Sequence, residues 1–345
     1  MYTGILIAIL AGICLGTCFL PMRYMKEFAW ENTWFVWSFT GLVVLPPLIA
    51  FLTVPDIFQI FREIGWNTTA TVLGVGLVAG TSGIFLGRGI AIAGIAIANS
   101  VMNGVSLVVG SFVPLIKNHP EALNGRIGLT LLGGLLLAVA GVAICSVAGS
   151  QRNKESAYST VDKGTRHSKR ALAMVGIVLC LIAGLLTPLQ NIGLDYASRM
   201  TEIAHSHGAP EAFKSFVYFI PYFGASFVSN GIFFAVLWRK NGTLKQFRGP
   251  RAARYVGMAV LMAAVWMLGI ILYGWAMPWV GSYGPVIVWP MMLVTTSIAS
   301  AFAEYLYGDW EGRALRTLGL GIAGLSLSIA MFSYSNHIIQ QSFLR

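Results

Sequence analysis

Long apolar runs separated by short polar clusters recur from one end of this chain to the other. Crossing a hydrocarbon layer about 30 Å thick takes roughly 20 residues of helix. Reading apolar length against breaks of charge, Pro, Gly and Asn predicts helices at 2–20, 33–52, 69–86, 93–116, 127–147, 171–194, 215–238, 256–276, 283–307 and 314–334. Only a Gly-rich turn at 87–89 separates the third from the fourth. The first run has no basic residue ahead of it, and Arg23 and Lys26 follow it, so it reads as a retained helix and not as a signal peptide. The pattern predicts an all-α, polytopic membrane protein of ten transmembrane helices.

The runs repeat. Gly4, Ile5, Ala11 and Gly12 of the first helix recur at the same spacing as Gly176, Ile177, Ala183 and Gly184 of the sixth. Gly125, Arg126, Thr130 and Leu131 recur as Gly312, Arg313, Thr317 and Leu318. Carriers are commonly built from two related halves around a midplane site, and an odd number of spans per half makes the halves inverted. The expected organisation is a five-helix repeat at 1–148, a basic cytoplasmic linker at 149–170 and a second five-helix repeat at 171–345.

Composition and charge sharpen this. Of 345 residues, 56% are hydrophobic and 10% are charged, too few charges to cover a water-facing surface. The net charge of +10 records orientation and not nucleic-acid binding. Seventeen of the 23 Lys and Arg fall on one side (Arg23, Lys26, Arg88, the linker, 239–254, Arg313 and Arg316) and six on the other. Because Lys and Arg resist translocation, the linker belongs in the cytoplasm and both termini outside. Cys14, Cys18, Cys145 and Cys180 lie in apolar runs, where thiols act as small hydrophobes.

Residues 23–37 read Arg-Tyr-Met-Lys-Glu-Phe-Ala-Trp-Glu-Asn-Thr-Trp-Phe-Val-Trp, a basic turn followed by Trp30, Glu31 and Trp34. This turn resembles that of the L-rhamnose–proton symporter family, within the drug/metabolite transporter superfamily. Ten spans, the chain length, the basic central loop and the Asp309–Trp310 pair extend the similarity along the whole chain. The resemblance implies a secondary active transporter of the cell inner membrane that imports L-rhamnose or a related deoxy-sugar by proton symport with alternating access. A carrier of another sugar, a nucleoside or an amino acid, with no proton coupling, fits the same architecture, since the eighth and ninth helices hold few amide or acidic side chains.

Polar side chains inside spans are the informative ones, because they are costly in lipid unless they face a cavity or a neighbour. Asn99, Asn103 and Ser106 follow i, i+4, i+7 and line one face of the fourth helix. Tyr218 and Tyr222 do nearly the same on the seventh, with Ser226, Ser229 and Asn230 beyond them. Gln190 and Asn191 follow Pro188, which should interrupt the sixth helix, and Pro290 should interrupt the ninth beside Trp289. With Trp266 and Tyr273, these form the candidate solute-binding set: Asn99, Asn103, Ser106, Gln190, Asn191, Tyr218, Tyr222, Trp266, Tyr273 and Trp289. The amides would bond hydroxyls, and Trp289 and Tyr222 would pack the ring. Such stripes also simply hold helices together. Trp34, Trp37, Trp279 and Trp310 read as interfacial anchors.

Proton coupling asks for a titratable side chain within a span. Glu31 and Glu304, near helix ends, are the candidates, and pairing with Arg23, Lys26 or Arg313 is the plainer expectation for both. His205-Ser-His207 reads as ordinary loop. No two-His metal motif on a helix, Ser elbow or paired carboxylates support catalysis, so neither enzyme, metal nor cofactor is expected. Gly74, Gly76, Gly80 and Gly319, Gly321, Gly324 mimic a dinucleotide fingerprint but sit in apolar helices, where close packing is their use. The expected partners are a small polar solute, a coupling ion and the bilayer.

Overall fold

The computed structural model describes residues 2–93, 95–156, 166–308 and 310–343. Among these there is no strand, and nine stretches are long and apolar enough to cross a membrane. One of them, Ala252–Leu306, runs 55 residues. It holds two helices in succession, broken where Gly281 takes a positive φ of 78°. The long helices are α1 (Thr3–Thr17), α2 (Trp30–Ser38 and Leu45–Thr53), α3 (Trp66–Gly80 and Ser82–Ala93), α4 (Ile95–Asn118) and α5 (Arg126–Ser156). They continue as α6 (Arg166–Leu186 and Leu189–Tyr196), α7 (Phe216–Asn241), α8 (Ala252–Val280), α9 (Gly284–Leu306) and α10 (Gly312–Phe343).

Several boundaries differ from expectation for local reasons. The turn expected at 87–89 is helical: α3 is instead interrupted at Thr81, and residue 94, between α3 and α4, lies outside the described residues. Residues 151–156 prolong α5 and 166–170 begin α6, so polar sequence here continues helix, and 157–165 lie outside the described residues. Pro188 does break α6, at Thr187–Pro188. Pro290 does not break α9, which runs through it; a proline removes one intrahelical bond, and here both flanks stay packed, with residues 286–292 buried. Within α2, Pro46 and Pro47 have no N–H to give, and the turn before them, Phe39–Val44, widens to a π-helix.

Helix pairing is reciprocal. α1 packs on α8 and α9, and α6 packs on α3 and α4. α2 lies on α7 and α8, and α7 on α2 and α3; α4 meets α9, and α5 runs along α10. Exchanging the first five helices for the last five in order leaves this set unchanged. Gly12 of α1 backs onto Met292 and Thr295 of α9, and Gly184 of α6 backs onto Met102 and Val105 of α4. Gly12 and Gly184 are one of the glycine pairs that the sequence repeat aligns.

α3 crosses α7 backbone against backbone. A Cβ on Gly76 would stand 2.3 Å from the Tyr222 carbonyl oxygen, and one on Gly80 2.4 Å from that of Ser226. Two hydroxyls close the seam, Ser226 donating to the Gly76 carbonyl at 2.9 Å and Ser229 to that of Leu77 at 2.7 Å. Gly76→Leu is therefore expected to destabilise the protein by about 3 kcal/mol through overpacking against backbone. Gly74→Leu, which meets nothing within 4 Å, should leave the thermal midpoint in detergent unchanged.

Candidate functional site

A cavity of about 280 Å³ opens where α2, α3, α6, α7 and α8 converge. Its wall is aromatic. Trp34 and Trp37 lie 4.7 Å apart, Trp37 meets Trp266 edge-on at 5.3 Å, and Trp266 meets Phe223 at 5.3 Å. The π-turn of α2 borders it through Leu42, and the Trp266 ring lies over Gly41. The breaks in α3 and α6 deliver the polar groups: Ser82 and Gly83 follow the first, and Thr187 and Gln190 flank the second.

Most hydroxyls here are already engaged. Thr187 donates to the Ala183 carbonyl at 2.8 Å, Ser38 to Phe35 at 3.2 Å, and Ser226 to α3. Two amides and one indole keep capacity in reserve. Gln190 makes no hydrogen bond among the described residues, and Asn230 uses only its Nδ2, on the Ser226 carbonyl at 3.0 Å. The Trp37 Nε1–H is buried without a partner among the described residues. A buried donor left unmade is uncommon and asks for an explanation, and here it lies beside a cavity. Aromatic faces with a few uncommitted polar groups suit a small solute with an apolar face and hydroxyls.

The structure divides the ten candidate solute residues. Gln190, Tyr222 and Trp266 meet in this cavity. Asn191, next to Gln190, does not: it is fully buried, donating to the Gly110 and Pro285 carbonyls at 2.7 and 3.0 Å and accepting from the Tyr273 hydroxyl at 2.5 Å. That knot ties α4, α6, α8 and α9 together and uses Tyr273 as well. Trp289 is 3% exposed and donates to the Ser106 carbonyl at 3.0 Å, in a slot that only a glycine at 110 leaves open. Ser106 and Tyr218 are fully buried, Tyr218 stacked on Tyr222 at 5.2 Å. Asn103 borders a separate cavity between α4, α5, α9 and α10. Asn99 lies on α4 with its side chain outside the described residues. Trp34, Trp37, Thr187 and Asn230 are among the cavity residues absent from the sequence-based set.

The two carboxylate candidates have different surroundings. Glu31 is 5% exposed and is the one charged side chain buried among the described residues. Its Oε1 accepts from Asn241 at 2.9 Å and Thr243 at 2.6 Å, both neutral, and not from Arg23 or Lys26. Asn32 beside it bonds Gln246 and the Thr243 carbonyl and accepts from Trp238 at 2.6 Å, which locks the start of α2 to the turn after α7. Glu304 is half-exposed and pairs with Arg152 at 2.7 Å, not with Arg313. Asp309, beside Trp310, lies outside the described residues.

Both ends of the bundle carry clasps. At the basic end, Arg23 stands 4.4 Å over the Tyr307 ring, joining α1 to α9. At the opposite end, Lys117 of α4 stands 3.6 Å over Tyr196 of α6 and pairs with Asp195 at 2.9 Å, which Asn118 also holds. These are the positions that the reciprocal pairing exchanges. At that same end the short helices Ile57–Ile64 and Ser198–Ser206 pack together, with His207 3.0 Å from Glu63. His205 has different partners, the Ala209 carbonyl and Glu211.

Residues 1–335 match the protein family described as L-rhamnose-proton symport protein. The chain is similar to the L-rhamnose-proton symporter of Enterobacter sp. (strain 638), 23% identical over 338 residues that cover 96% of this chain and 95% of that one. It is also similar to those of Cronobacter sakazakii (strain ATCC BAA-894), 23% identical over 324 residues with 90% and 91% covered, and Yersinia pestis (strain Pestoides F), 21% identical over 311 residues with 88% of each covered.

Proposed function

The chain belongs to the L-rhamnose-proton symport protein family, and from that premise we propose that it imports L-rhamnose or a related deoxy-sugar together with protons. The observation that carries the site assignment is the aromatic cavity with its unspent Gln190 amide and unpartnered Trp37 indole. The apolar face of a deoxy-sugar packs on Trp34, Trp37, Trp266 and Tyr222, and its hydroxyls take up Gln190, Asn230 and the Trp37 N–H. Asn191, Tyr218, Tyr273, Trp289 and Ser106 build the frame that holds those groups in place. A ligand that binds only the folded state raises the thermal midpoint in proportion to its saturation. L-rhamnose is expected to raise that midpoint in the purified protein, and D-glucose, lacking the methyl group, to raise it less. Equal shifts, or none, would refute the assignment.

The protein works as two inverted halves, 1–148 and 171–345, joined by the linker at 149–170, and the reciprocal packing supports this division. The count of basic residues supports the linker in the cytoplasm and both termini outside. Alternating access then opens one clasp at a time: Lys117–Asp195–Tyr196 closes the outer mouth and Arg23–Tyr307 the inner one. With the four native cysteines replaced and Ser82→Cys placed in the cavity, adding Asp195→Ala should raise labelling by a membrane-impermeant thiol reagent applied outside several-fold. Unchanged labelling would remove Asp195 from the gate.

A further inference from the structure

A second cavity, of about 230 Å³, lies at the basic end between α4, α5, α9 and α10, and its chemistry differs from that of the aromatic one. Asn103 and Ser100 reach it from α4, Ser297 and Glu304 from α9, Arg152 from the end of α5, and Trp310 from the turn before α10. Arg152 is held twice, on Glu304 at 2.7 Å and 4.5 Å over the Trp310 ring. The Trp310 Nε1–H is buried with no partner among the described residues, and Trp310 is 6% exposed.

A guanidinium and a carboxylate that neutralise each other leave little net charge to attract an ion. Both keep further hydrogen-bonding capacity: a guanidinium has five N–H donors in a fixed fork, and a carboxylate has about four lone-pair sites. The Asn103 amide adds a donor and an acceptor, and Ser100 and Ser297, which donate to the Val142 and Leu293 carbonyls at 3.1 and 3.0 Å, add acceptor oxygens, so the set holds both kinds of group. Neighbouring hydroxyls on a ring bind sets of this kind, each giving one hydrogen bond and accepting another. A phosphate would meet Glu304, and an ammonium group would meet Arg152, so each ion faces a like charge.

We propose that this inner cavity is a second binding site for a neutral polyhydroxylated solute of the transported class, on the side where the solute is released. This rests on the sugar-carrier reading above, and the two can fail separately. Equilibrium dialysis of radiolabelled L-rhamnose against purified protein in nanodiscs is expected to give two bound sugars per chain. Arg152→Gln with Glu304→Gln should leave one, and so should Gln190→Ala with Trp266→Ala. Ser297→Leu fills the cavity without touching the ion pair, so it carries the same expectation even if loss of the pair unfolds the protein. One sugar per chain, lost with Gln190→Ala and Trp266→Ala and kept in the other variants, would overturn the inner site and keep the central one. Two sugars in every variant would also overturn the inner site. No bound sugar in wild type would overturn both.

Discussion

Glu31→Gln is expected to abolish concentrative uptake while leaving downhill equilibration of sugar intact. Glu31 lies in the first turn of α2. Ionised, it accepts from Asn241 and Thr243 and fastens the start of α2 to the turn after α7. Protonation removes the charge that strengthens both bonds, which meet on the same Oε1. Hydrogen bonds to a charged group contribute about 1.5–3 kcal/mol, so one lost bond shifts the closed state by roughly 10- to 100-fold. Trp34, one helical turn along α2, lines the sugar cavity, so release of this fastening reaches the bound solute directly. Among the described residues no cation contacts Glu31: Arg251 pairs with Glu27 and Arg23 lies over Tyr307. Glutamine imitates the protonated form permanently. Accumulation driven by an acid-outside gradient should fall at least about tenfold on the same energetic argument, while counterflow at equal pH persists. Glu304→Gln, at a half-exposed ion pair, should retain gradient-driven uptake. If Glu31→Gln accumulates sugar as wild type does, coupling lies elsewhere.

Trp266→Ala combined with Gln190→Ala should weaken L-rhamnose binding most among the cavity variants. Trp266 touches both Trp37 and Phe223, so its removal opens the aromatic wall on two sides. Gln190 has no other bond to fall back on among the described residues. A lost stacking surface and a lost hydrogen bond together amount to about 2–3 kcal/mol, or a rise of roughly 30- to 150-fold in Kd. Tryptophan-quenching titrations in detergent read this directly. Asn103→Ala, facing the other cavity, should leave the tighter Kd unchanged.

The spans were legible in the sequence because each is an apolar run of a length set by the bilayer and not by its neighbours. The close-packing role of Gly76 and Gly80 was legible too, since helices in lipid meet through small residues. Which polar groups share a cavity was not. Gln190 and Asn191 are adjacent, yet consecutive helical residues point about 100° apart, so one faces the cavity and the other a knot of carbonyls. Only the placement of α4, α8 and α9 decides which. Trp34 and Trp37 read as interfacial anchors because indoles gather at the membrane edge; α2 starts at Trp30 and not at 33, and both indoles line the cavity. Glu31 followed the same course, since a helix-end carboxylate gives no sign of burial until the turn at 241–243 folds over it.

Proton-coupled sugar import is read directly from uptake of radiolabelled L-rhamnose by proteoliposomes under an imposed pH gradient, with an entrapped pH dye following protons. Accumulation above the external concentration is expected when the outside is acid, with proton influx that requires the sugar, and both are lost when the gradient is collapsed. Sugar uptake at the same rate with and without the gradient, and no sugar-dependent proton movement, would contradict proton-coupled import.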